Sequence, residues 1–254
     1  MPPPSHHLLT FFPPLSFFLA ANPSVQDWLS HELNCVLGDR PPKEWDYHSD
    51  FPRLKRCLSI LYETLRVKTL VPEVKWTNKS SQFLKVGSQT LTLPPGTLIV
   101  PSYLYLHKHP KFWGQDAQEW KPERWIARSN QNNKANQKQT EHHEPNQQSG
   151  DSPADVEDEV LLPPPSRGNF LGWSEGARDC PAKKFSQVEW VGILAALFRE
   201  WKVEPRQLEN ETFAETRTRV LNFIEENTDY GGLLLQLMHP ERLPLVWSSR
   251  CYNS

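Results

Sequence analysis

The chain has 254 residues, with 28 Lys+Arg against 30 Asp+Glu and a formal net charge of −2, which excludes a strongly basic nucleic-acid binder and a polyanionic tail protein. Hydrophobic residues make up 37% and prolines number 24, so a folded part diluted by loop sequence is expected, and the length fits one domain. Cys35, Cys57, Cys180 and Cys251 form no C-x-x-C pair, which excludes a zinc ribbon or a thioredoxin motif and fits a reducing compartment.

The first apolar stretch, Leu8 to Ala21, is broken by Pro13-Pro14. It is shorter than the roughly 20 residues of a spanning helix and lacks the basic n-region of a signal peptide. Residues 1–18 therefore read as a leader outside the fold or as a buried segment, with membrane contact as the alternative. A helix is predicted over Pro23–Leu37, with Asn22 as N-cap and Pro23 at the first helical position. A second is predicted over Pro52–Val67. Leu54, Leu58, Leu61, Tyr62 and Leu65 mark its buried face, and Arg53, Lys55 and Arg56 lie off that face. The period then shortens. Segments Glu73–Trp76, Phe83–Val86, Gln89–Leu93 and Thr97–Tyr103 read as strands of a small antiparallel sheet, turned at Pro94-Pro95-Gly96. His107–Trp125 is irregular and aromatic-rich, and this unit spans residues 19–128.

Residues 129–160 are polar and aperiodic and read as a disordered insertion, in which His142-His143 are solvated rather than metal ligands. Residues 161–254 resume order. A helix is predicted over Pro181–Trp201, with an inner stripe of Phe185, Val188, Val191, Leu194, Ala195 and Phe198. Two strands, Leu233–Met238 and Leu243–Trp247, follow.

The chemistry concentrates in Phe170-Leu-Gly-Trp173-Ser-Glu-Gly176-Ala-Arg178-Asp-Cys180-Pro181. A cysteine just before a helix meets free N–H groups and partial positive charge, which favour the thiolate. Gly176 permits a tight loop close to a flat ligand. Arg178 adds a permanent cation suited to a carboxylate. The alternative reading of Cys180 is a small buried apolar residue. Glu63 and Arg66 share one helix face at i and i+3, and an exposed pair of that kind contributes only about 0.2–0.5 kcal/mol.

In three ordered motifs the chain resembles the cytochrome P-450 (haem-thiolate monooxygenase) family, particularly its fungal members. Glu63-Thr64-Leu65-Arg66 looks like the ExxR motif, Pro122-Glu123-Arg124-Trp125 resembles PERF/PERW, and Trp173-x-x-Gly176-x-Arg178-x-Cys180 resembles the haem loop. The resemblance implies an α+β, mainly helical fold with a small antiparallel sheet, corresponding to the haem-proximal half of the family domain. It implies haem as cofactor, with Cys180 as axial iron ligand and Trp173, Gly176 and Arg178 as cofactor-binding residues, Arg178 through a haem propionate. Glu63, Arg66 and Arg124 would form a buried supporting network. His107 reads as a hydrogen-bonding or surface residue rather than a ligand. The implied reaction inserts one oxygen atom of dioxygen into a small organic substrate, with electrons from an NADPH-dependent reductase.

Two loop positions depart from the pattern: Trp173 stands for Phe, and Ala182 for Gly. The resemblance runs from about Leu19 to Trp247, the C-terminal half of the family domain. No acid–alcohol pair of an oxygen-activating helix precedes Leu19, so no catalytic residue of the distal pocket is assigned. Of the substrate-contacting segments, Leu70, Val71 and Val74 would contribute one wall. A truncated product, or a gene model beginning inside an intron, is the expectation. Family members are usually anchored in the endoplasmic-reticulum membrane; no anchor is read here, which allows a cytoplasmic location. The alternative functions are a catalytically inactive haem-binding remnant and an interaction fragment.

Overall fold

The computed structural model describes residues 6–69, 74–129, 152–177, 179–230 and 235–250, and the side chains from residue 13 onward, apart from Tyr230. Leu70, Val71, Arg178, Cys251, His142 and His143 lie outside the described residues, as does most of the polar tract.

Helix α1 (His6–Ala20) runs through Pro13 and Pro14, and α2 (Pro23–Leu37) follows after two residues. Each interior proline removes a backbone donor, but Leu15, Phe17, Phe18 and Leu19 are all buried. Of the two readings of residues 1–18, residues 15–18 meet the buried one and not the leader outside the fold. Asn22 stands at the start of α2 without a side-chain cap. Its Nδ2 instead donates to the Phe18 carbonyl at 2.8 Å, tying α2 back to α1.

Helix α3 (Lys55–Val67) starts after a 3-10 turn at Phe51–Arg53, three residues later than predicted. It is the central element, buried on every side, with Leu61 and Leu65 at 1% and 2% exposure. Arg56, expected off the buried face, is also buried. Its guanidinium pairs with Glu159 at 2.8 Å and lies over the Trp28 ring. Leu54 offers no cap to α3. Glu32 of α2 supplies it, accepting the backbone N–H groups of Arg56 and Cys57 at 2.6 and 3.0 Å. Burial pushes the Glu32 carboxyl up to about 7.

Strand β1 (Lys75–Trp76) pairs with β4 (Leu98–Ile99), and between them β2 (Gln82–Val86) and β3 (Gln89–Leu93) form a hairpin in full register. The predicted single sheet is thus two separate antiparallel ladders among the described residues. Trp76, Phe83 and Val100 of this region are more than half exposed. The aromatic-rich stretch holds α4 (Tyr103–Lys108), α5 (Pro110–Trp113) and a 3-10 turn at Pro122–Trp125.

Strand β5 (Ile126–Arg128) pairs with β6 (Glu159–Leu161), which follows α6 (Pro153–Asp158). Ser152 and Asp155 form a reciprocal capping box at the start of α6. Residues 152–160, assigned from composition to the polar insertion, are therefore structured, because the cap and the Arg56–Glu159 pair anchor them. Helix α7 (Lys183–Phe198) begins two residues later than predicted. Phe185, placed in its inner stripe, is 67% exposed. Gln187, two residues on, is buried, and its Nε2 donates to the Tyr62 hydroxyl of α3 at 2.9 Å. Strand β7 (Trp201–Pro205), helix α8 (Phe213–Glu226) and strand β8 (Thr228–Tyr230) follow, none of them anticipated. The last two strands do not pair with each other: β9 (Leu235–Leu237) joins β8, and β10 (Leu245–Ser249) joins β7. The fold is α+β and mainly helical, and among the described residues no helix is long and apolar enough to cross a membrane.

Candidate functional site

The ExxR turn of α3 is the best-satisfied polar group of the core. Glu63 and Arg66 both have fully buried side chains and pair through two contacts of 2.8 Å. Glu63 Oε1 also accepts from the Lys121 backbone N–H at 2.8 Å and from Arg124 Nε at 2.9 Å. Its Oε2 accepts from Trp125 Nε1 at 2.9 Å. The rest of the Arg66 guanidinium donates to the carbonyls of His107, Ala117 and Glu119. Arg124 donates further to Asp116 and to the Trp113 carbonyl. Burial opposes the charge on Arg124, yet Glu63 and Asp116 beside it hold its pKa above the ordinary arginine value. A buried pair is retained at this cost only when the remaining donors and acceptors are matched, as here.

The segment leading to Cys180 lies against this turn. Phe170 sits among Tyr62, Trp113, Trp125 and His107, with ring centroids 5.0–6.5 Å apart. A Cβ on Gly172 would meet the Phe170 ring at 2.7 Å and Leu65 Cβ at 3.3 Å, so glycine lets the loop touch α3. Trp173 packs edge-on to Tyr62 and donates its indole N–H to Ser186 Oγ at 2.8 Å. The Cys180 N–H donates to the Trp173 carbonyl at 2.9 Å, closing residues 173–180 into a loop. Gly176 turns that loop at φ +101, with nothing within 4 Å of where its Cβ would be. Cys180 is a free, half-buried thiol, and its carbonyl accepts the Lys183 N–H at the first residue of α7.

A family model described as "Cytochrome P450" matches residues 15–228. The chain belongs to the cytochrome P450 family. It is 27% identical over 198 residues to a cytochrome P450 monooxygenase of Arthrobotrys oligospora, covering 74% of this chain and 31% of that protein. It is 26% identical over 238 residues to the phomenoic acid biosynthesis cluster cytochrome P450 monooxygenase of Leptosphaeria maculans, covering 85% of this chain and 35% of that protein. The chain thus spans about a third of the length of these curated relatives. A cytochrome P450 crystal structure, CYP102L1, shares the fold with a TM-score of 0.58 at 20% identity, over 95% of this chain and 43% of that one.

Cytochromes P450 are haem-iron proteins whose iron is held by a cysteine thiolate. The donor set around Cys180 fits that group. Among the described residues no three His, Cys, Asp or Glu side chains are grouped to chelate a metal. Cys180, a free thiol of intermediate exposure, could supply the one sulfur bond that such an iron takes from the protein. Ala182 is exposed and sits at φ −91, a backbone conformation that does not require glycine.

The structure therefore brings Glu63, Arg66 and Arg124 together, and places Trp173, Gly176 and Cys180 on one loop beside them. The predicted propionate partner Arg178 lies outside the described residues. Sequence reasoning missed the Trp125 and Lys121 donors to Glu63. It also missed the Trp173–Ser186 and Gln187–Tyr62 bonds, because each joins residues that no local pattern links. Trp125 did carry a signal as the last residue of the PERW motif.

Proposed function

We propose that this P450 chain provides the proximal side of a haem-thiolate monooxygenase site. Cys180 would hold the haem iron, Trp173 and Gly176 would shape the loop around the cofactor, and Arg178 would take a propionate. Bound haem would supply the activation of dioxygen for insertion of one oxygen atom into a small organic substrate, with electrons from an NADPH-dependent reductase. The chain's own residues have holding roles. Glu63, Arg66 and Arg124 fix the ExxR turn, the aromatic cluster seats Phe170 on it, and the Trp173–Cys180 hydrogen bond sets the thiol at the head of α7. The observation that carries this reading is the free thiol of Cys180 on a loop closed against the buried network.

The test is the reduced carbon-monoxide difference spectrum of the full chain reconstituted with haem, beside Cys180→Ala. A strongly red-shifted Soret band lost in the variant is expected. A band indifferent to the substitution, or none, overturns the ligand assignment. A thiolate band without reductase-dependent product from any organic substrate tried would favour a haem-binding chain without turnover.

A further inference from the structure

His107, at the end of α4, is fully buried. Its ring lies between Tyr103, stacked at 6.1 Å, and Phe170 at 5.4 Å. Nε2 is 2.8 Å from the backbone nitrogen of Leu171. An amide N–H can only donate, so Nε2 carries the lone pair and Nδ1 carries the proton. Nδ1 faces Thr69 Oγ1 at 2.9 Å, and the Thr69 hydroxyl donates to the Leu65 carbonyl at 3.1 Å. Leu65 is inside the ExxR turn, and Arg66 of the same turn donates to the His107 carbonyl at 2.6 Å. One directed relay therefore runs from Leu171 through His107 and Thr69 to α3. Leu171 is two residues before Trp173, whose carbonyl holds the Cys180 N–H.

The geometry points to His107 as a positioning residue that fixes the cysteine loop to the ExxR turn through one ring tautomer, and so sets where the Cys180 thiol stands. Burial holds the His107 ring well below its ordinary pKa, at about 4, in keeping with a neutral ring that accepts at one nitrogen and donates at the other. The inference concerns the loop whatever it binds; only its consequence for iron ligation rests on the function proposed above.

Two amide side chains separate the two nitrogens. His107→Asn keeps a donor near Nδ1 and loses the acceptor for Leu171. His107→Gln keeps an acceptor near Nε2. In the full chain without haem, hydrogen exchange at the Leu171 amide should speed about tenfold in His107→Asn and stay within about twofold in His107→Gln. Alkylation of Cys180 by iodoacetamide, read by peptide mass spectrometry, should rise in the same order. Thr69→Val removes the acceptor of Nδ1 and should raise both rates severalfold; this variant decides the matter if His107→Asn does not fold. With haem, the thiolate-type carbon-monoxide band should weaken in His107→Asn and recover in His107→Gln. Unchanged Leu171 exchange and Cys180 alkylation in His107→Asn, or in Thr69→Val where His107→Asn does not fold, would overturn the role of His107. Changed rates in a chain whose wild type gives no thiolate band would leave that role standing and overturn the proposed function instead.

Discussion

Arg124 Nε lies 2.9 Å from Glu63 Oε1, across 61 residues of chain, and the carboxylate it meets already holds Arg66. One fully buried acid thus pairs with two guanidiniums, the second of which Asp116 also meets, and takes an indole and a backbone N–H as well. The arrangement has little tolerance for loss of its centre.

Glu63→Gln removes the charge and turns an amide donor toward other donors. Breaking a buried pair from one side leaves uncompensated charge and costs about 3–5 kcal/mol. Urea unfolding of this variant should show a loss of that size, large against the usual stability of a single domain. Arg124→Lys keeps the charge but cannot reach Glu63, Asp116 and the Trp113 carbonyl together, and should lose about 1–2 kcal/mol.

Gly172→Ala tests the close approach of the loop to α3. The added methyl would sit 2.7 Å from the Phe170 ring and 3.3 Å from Leu65 Cβ. Overpacking of this kind costs about 1–3 kcal/mol. Thermal unfolding should register it, and Cys180 should alkylate faster as Phe170 is pushed from its seat. Gly176→Ala meets no neighbour but strains a φ of +101, so its effect should be confined to the loop.

Trp173→Phe loses the indole bond to Ser186, whose hydroxyl still donates to the Lys183 carbonyl at 2.9 Å. The cost should stay near about 1 kcal/mol, because no buried group is left unpaired. The packing against Tyr62 survives with a smaller ring. An unchanged haem spectrum is expected. Trp173→Ala should lose about 3–5 kcal/mol if the site behaves as packed core.

Stability should respond to pH through two buried groups of opposite sense. The Glu32 carboxyl is raised from 4.5 to about 7, so the folded chain binds the extra proton between those values and this contribution fades as pH rises through 7. The His107 ring is lowered from 6.5 to about 4, so the unfolded chain binds the extra proton there and stability is lost as pH falls through 4. Each slope approaches about 1.4 kcal/mol per pH unit where the two states differ by one proton. Glu32→Gln should therefore gain on the wild type as pH rises from 4.5 to 7, and His107→Gln should lose on it from 4 to 6.5. Denaturant midpoints measured across pH 4–7.5 check both signs.

Much of the helical frame was legible in the sequence. The span Pro23–Leu37 and the end of α3 at Val67 follow from apolar spacing and from the glycine and proline stops around them. The two strands of the β2–β3 hairpin were legible as segments from the shortened period. Where expectation and structure part, a distant contact decided. Phe185 fits the inner stripe of α7 by period, but stands exposed in the first turn of the helix. Arg56 looks like a solvated residue by type, yet Glu159, 103 residues away, draws it inside. The two C-terminal strands fall where the sequence places them, and their partners are β8 and β7.

The sequence by itself determined which groups were available: an acid and a base three residues apart on one helix face, a third guanidinium in PERW, and a cysteine behind a glycine loop and before a helix. Those are short-range properties, set by helical period, by the freedom of glycine and by the rigidity of proline. Tertiary structure alone decided what those groups do to one another. It buried Glu63 until five N–H donors converged on it. It also placed His107 where one nitrogen must accept and the other donate, and set Gly172 against Leu65. Hydrogen-bond direction and burial depend on neighbours brought together over tens of residues, and no local pattern encodes them.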